Sequence, residues 1–154
     1  MGVTVTLPIT NTSANAALDI LEYLTASTRG VRVKRVYLTS DSTASQKLRL
    51  TFSRVTGAPT SGSGGSTTTP VVDGPLVGSV GGTAEIFNTT RISGGTKVDA
   101  RLAWWNKPEE FNYVPIEDKH VFELEGGTRF VIGLETAPSP AANITGFVEL
   151  EVIG

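Results

Sequence analysis

Position parity in the last quarter of the chain constrains the fold more than any other feature. Phe130, Ile132 and Leu134 alternate with other residues, and Ile144, Val148, Leu150 and Val152 share one parity further on. A side-chain period of two means a β-strand with one face in a core. The final run stops two residues before the C-terminus, so the end of the chain is expected inside a sheet and not as a tail.

The same pattern recurs upstream. Strands are expected over Val3 to Leu7, Leu18 to Leu24, Val31 to Thr39, Leu48 to Val55, Glu85 to Thr89, Val98 to Trp105, Phe111 to Val114, His120 to Leu124, Arg129 to Leu134 and Ile144 to Val152. Short strands punctuated by turn residues predict a sandwich or barrel. Ala16, Ala17, Ile20, Leu21 and Leu24 also fit helical spacing, with Asn11 to Ser13 as an N-cap. The β character of the remainder favours a strand from Leu18. Val31 and Val33 have one parity, Val36 and Leu38 the other, and a bulge near Lys34 would reconcile them.

At 154 residues the chain is one domain by the usual prior. Its segment at about 57–83 is rich in Gly, Ser and Thr, and is expected to be a long loop with short edge strands, reaching a neighbouring subunit or lacking order. A net charge of −2 gives no electrostatic reason to expect nucleic acid. The basic run Arg29 to Arg35 reads as solvated strand positions, an intersubunit ion-pair face or a nucleic-acid contact. No apolar run approaches the roughly 20 residues of a membrane helix. The opening Met-Gly matches a bare myristoylation pattern, but Val3, Val5 and Leu7 alternate as a first strand does. The absence of cysteine excludes disulfides and Cys-ligated zinc.

No constellation for chemistry emerges. His120 is the only histidine and has no G-x-S-x-G serine to serve. Glu109-Glu110 and Glu117-Asp118 lack the spacing of a calcium loop. A carboxylate pair for glycoside hydrolysis needs a separation that sequence cannot fix. Gly94 to Lys97 reads as a turn and not a phosphate loop, and Asn11, Asn88 and Asn143 open sequons that such a composition produces by chance. An enzyme is the least expected class, with no catalytic residue, no metal and no cofactor.

The aromatic residues carry more. Val98, Ala100, Leu102 and Trp104 share a parity that predicts a core face, which turns Trp105 outward. Phe147 is the matching exception in the last strand. An outward aromatic ring calls for a cover: a second layer, a neighbouring subunit or a stacked carbohydrate.

Several motifs resemble a family of small β-rich virion proteins of tailed bacteriophages. They are Asn11-Thr12-Ser13 with Ala17 to Leu21, Val33 to Leu38, Leu48-Arg49-Leu50 before Arg54, and Thr69-Pro70. Trp105-Asn106 leading to Tyr113-Val114-Pro115, Leu134 to Pro138 and Glu149 to Gly154 complete the set. The resemblance implies an all-β, jelly-roll-like antiparallel sandwich, often trimeric, that coats or cements a capsid. The expectation is therefore a homotrimeric decoration or cement protein on the capsid exterior, bound to the major capsid protein and to neither nucleic acid nor membrane. Trp105, Phe111, Tyr113 and Phe147 are its expected interface residues, with residues 57–82 and Gly2 to Thr10 reaching neighbours. The alternatives are a tail, baseplate or fibre-associated protein, and a carbohydrate-binding domain that stacks a host surface glycan on Trp105.

Overall fold

A computed structural model describes residues 2–73, 80–117 and 122–153. The strands are β1 (Val3–Ala14), β2 (Leu18–Leu24), β3 (Gly30–Ser40), β4 (Lys47–Thr56), β5 (Ser66–Thr68), β6 (Val71–Val72), β7 (Thr83–Asn88), β8 (Thr96–Asn106), β9 (Phe111–Tyr113), β10 (Phe122–Leu124), β11 (Arg129–Leu134) and β12 (Ala142–Ile153). No helix occurs among the described residues. His120 and Val121, the start of an expected strand, lie outside them.

The strands form two antiparallel sheets packed face to face. The first runs β10-β3-β12-β1-β6, with β9 also on β3, and the second runs β5-β7-β2-β11-β4-β8. This two-sheet antiparallel arrangement is compatible with a jelly roll, an architecture of interlocked Greek keys. Val5, Leu7, Val33, Leu38, Val148 and Leu150 from the first sheet meet Leu48, Leu50, Phe130, Ile132 and Leu134 from the second, all fully buried. Phe52 centres the aromatic part, in edge contact with Phe111, Tyr113 and Phe130 at 5.4–6.0 Å between ring centroids.

The C-terminal alternation behaves as expected: β12 lies between β1 and β3, so both of its edges are paired. The bulge near Lys34 is also there. Glu149 pairs with Arg35 and Leu150 with Val33, which skips Lys34 and turns both halves of β3 inward. The helical alternative for Ala14 to Leu24 gives way to β2, paired with β7 and β11. β1 runs on to Ala14, through an irregularity between Ile9 and Thr12, so the Asn11 to Ser13 candidate cap is strand.

Both segments expected to reach neighbours are paired within their own chain. Gly2 to Thr10 belong almost wholly to β1, which is paired with β12 and β6 of its own chain. The described part of the 57–83 segment is likewise tied down at home. Thr60 and Ser63 bridge to Ser93 and Thr90, β5 pairs with β7, and β6 pairs with β1. Gly65 shows how closely it lies: a Cβ there would collide with the Ile86 carbonyl oxygen. A Gly-rich composition serves close backbone approach here as well as it would serve flexibility.

Candidate functional site

The parity of β8 is the reverse of the expected one. β4 decides it. Leu48 and Leu50 face the core, so their ladder partners Trp105 and Ala103 turn inward, while Arg49 and its partner Trp104 turn outward. Trp105 is only 2% exposed and donates its indole N–H to the Glu109 carbonyl at 2.7 Å. Trp104 is 67% exposed and Leu102 59%. An irregularity between the Phe52 and Ser53 pairs separates Val98 from the parity of Leu102. Both sides of β8 carry large apolar residues, so alternation alone could not say which was the core face; the strand beside it could.

The other expected interface residues also find partners within the chain. Phe111 and Tyr113 are half-buried against Phe52. Phe147 does face outward, where it stacks on Tyr37 at 5.3 Å with the Arg35 guanidinium over both rings. The Tyr37 hydroxyl donates to Glu110 at 2.7 Å, and that bond to a carboxylate raises its pKa. The basic run is spread over similar contacts: Arg32 pairs with Glu123 at 2.6 Å, and Lys34 reaches Glu151 at 3.8 Å. It is no concentrated cationic face of the kind phosphate binding needs.

A polar cluster that the sequence did not reveal lies on the outer face of the second sheet. Asp19 and Glu22 project there from β2 and are nonetheless buried, because the 57–65 and 89–95 loops fold over them. Arg91 donates Nε to Asp19 at 2.9 Å and both terminal nitrogens to Glu135 at 2.7 Å. Asp19 also accepts the Ile92 amide at 2.8 Å, and Glu135 the Thr51 hydroxyl at 2.7 Å. Gly133 makes room, since a Cβ there would meet the Arg91 guanidinium at 2.5 Å. The guanidinium bonds hold Glu135 down at about 2, and the two carboxylates raise Arg91 further above its ordinary value.

Glu22 is occupied in the same manner. It accepts from the Ser61 hydroxyl at 2.7 Å, the Gly62 amide at 2.9 Å and Asn88 at 3.3 Å, with Arg129 Nε 2.9 Å away. The Arg129 N–H points off that line, so the contact is an ion pair without a well-formed hydrogen bond. The adjoining cavity, lined by Glu22, Leu24, Ser61, Thr83, Glu85 and Arg129, is about 40 Å³, close to the volume of one water molecule. Carboxylates saturated by donors and covered by loops are poor proton shuttles and poor ligands; what they do is clasp the loops to the sheet. Asn88 is a member of this cluster and 1% exposed, which closes its sequon to modification.

Among the described residues, the outer edge of β8 exposes apolar side chains to solvent. It is an edge strand, paired only with β4 among the described residues. Of the exposed large apolar side chains among the described residues, Leu102 and Trp104 alone lie on the same face of one strand, two residues apart. An apolar edge strand offers main-chain donors and acceptors beside a hydrophobic strip, the elements of association by strand addition. No family model matches this chain, and neither the curated proteins nor the solved structures provide a match.

Proposed function

We propose that the chain is a structural virion protein, a decoration or cement protein on the exterior of a bacteriophage head, acting through homotrimers and contacts to the major capsid protein. The observation that carries this reading is the β8 edge, with Leu102 and Trp104 open to solvent on a sandwich whose core is otherwise filled. Contiguous exposed apolar surface on a small domain marks a contact site. The buried acidic cluster supports a non-enzymatic role, because its oxygens are consumed in holding loops. The motif resemblance supplies the virion setting. Mechanically, many weak symmetric contacts across capsomer junctions add up to shell stability.

The test is binding of the purified chain to phage heads that lack it, with its mass in solution measured by light scattering. Trimers that bind the heads, and bind them less after Trp104→Ser, are the expected result. A monomer that leaves the heads bare would overturn the reading.

A further inference from the structure

We infer that the small cavity between β2, β7, β11 and the 57–65 loop is a binding site for one water molecule. That water accepts the Arg129 Nε–H and donates to Glu85 and to the Ser61 hydroxyl oxygen. Nothing in the site depends on the virion reading.

The strand register builds the site. Arg129, Leu24 and Thr83 are ladder partners in one row across β11, β2 and β7. Glu22 and Glu85 are partners in the next row, two residues along on the same face. The 57–65 loop lays Ser61 over them, and its hydroxyl donates to Glu22 at 2.7 Å. Five polar side chains and Leu24 thereby surround a space of about 40 Å³. A water molecule takes up about 30 Å³ in the liquid, so the space admits a water and little more.

Hydrogen bonding supplies the reason for a ligand. Arg129 Nε is buried, and its N–H has no acceptor among the described residues, although the nitrogen lies 2.9 Å from Glu22 Oε1. Proteins rarely leave a buried charged donor in that condition, because its lost hydration goes uncompensated. The oxygens nearby have capacity to spare. Glu85 accepts from Asn88 at 2.9 Å through one oxygen only, and the Thr83 hydroxyl makes no hydrogen bond among the described residues. Ser61 has committed its proton to Glu22, which leaves its own lone pairs to accept. One donor in need, two acceptors and one hydroxyl of either sense are the complement of a water molecule.

Charge excludes the other small ligands. An anion would meet the Glu22 and Glu85 carboxylates. A cation, ammonium included, could not accept the Arg129 N–H and would lie against its guanidinium. The described residues also hold no group of three or more acidic, His or Cys side chains placed to ligate a metal. What remains is a neutral molecule that accepts and donates through one atom. At this size that is water. Bound there, it ties Ser61 of the loop to β7 and β11, and so extends the Glu22 clasp across three strands.

A high-resolution crystal structure of the whole chain, grown without added metal, tests the site. Density about 2.7–3.2 Å from Arg129 Nε, and within the same reach of Glu85 or Ser61, is the expected result. No density in the cavity, or density that leaves Nε unpaired, would overturn the proposal. So would a peak about 2.3–2.6 Å from oxygens of both carboxylates, which is calcium coordination and not a water contact. A double-mutant cycle in urea gives a readout that needs no crystal. Arg129 and Thr83 stand two strands apart, a separation at which independent substitutions add. With the water linking them, Arg129→Met and Thr83→Val should be non-additive by at least about twofold in the unfolding equilibrium constant. Strict additivity would refute the bridge. Should Arg129→Met fail to fold, the structure of the parent chain decides between the outcomes.

Discussion

Arg91→Ala is the perturbation that most sharply tests the clasp on the second sheet. Arg91 makes three charge-assisted bonds, one to Asp19 and two to Glu135. Its removal strands Asp19, whose side chain has no exposure, with the Ile92 amide as its remaining bond among those described above. Breaking a buried ion pair by deleting one partner costs about 3–5 kcal/mol. The Arg91 side chain is 27% exposed and Glu135 26%, so the lower end applies, about 3 kcal/mol. With a urea slope of about 2 kcal/mol per molar, the unfolding midpoint should fall by about 1.5 M with the slope unchanged. Adding Asp19→Asn to Arg91→Ala should restore at least about 1 kcal/mol, since the stranded charge is then gone. If Arg91→Ala lies within about 0.5 kcal/mol of the parent, as an ordinary surface substitution does, the cluster does not hold the loops and the reasoning fails.

Two further outcomes follow from named groups. Glu135 has a folded pKa of about 2 against an ordinary 4.5, so its stabilisation is complete above 4.5 and is lost as pH falls from there through about 2. That shift is worth at most about 3 kcal/mol, and screening at a partly exposed side chain brings it to roughly 1–2 kcal/mol; acid titration of urea stability should show the loss, and Glu135→Gln should flatten it. The tryptophans should separate in both stability and fluorescence. Trp105→Ala should cost about 3–5 kcal/mol and Trp104→Ser less than about 0.5 kcal/mol, with iodide quenching one indole and sparing the other; equal costs or equal quenching would return β8 to the opposite parity.

Most of the sandwich was legible because its strands alternate strongly. Leu18–Leu24 and Arg129–Leu134 have the observed bounds, and the parity change in Val31 to Leu38 located a real bulge at Lys34. β8 was misread for a physical reason: its outer face is as apolar as its inner one, and the deciding fact is its pairing with Leu48 and Leu50. The polar cluster was hidden for another. Asp19 and Glu22 in an apolar strand look like solvent-facing residues, and only the return of distant loops buries them beside Arg91, Arg129 and Glu135. Lys107 is similar, with no exposure and its ammonium on the Pro140 carbonyl at 3.0 Å. The outward tryptophan therefore lies in the expected strand, at position 104 and not 105.

The central claim is that the β8 edge joins this chain to others on a phage head. Cryo-electron microscopy of assembled particles tests it most directly. The account predicts density for the sandwich on the head exterior, with Leu102 and Trp104 covered by a neighbouring chain. Particles that carry the protein on the tail, or on the head with β8 open to solvent, would contradict it.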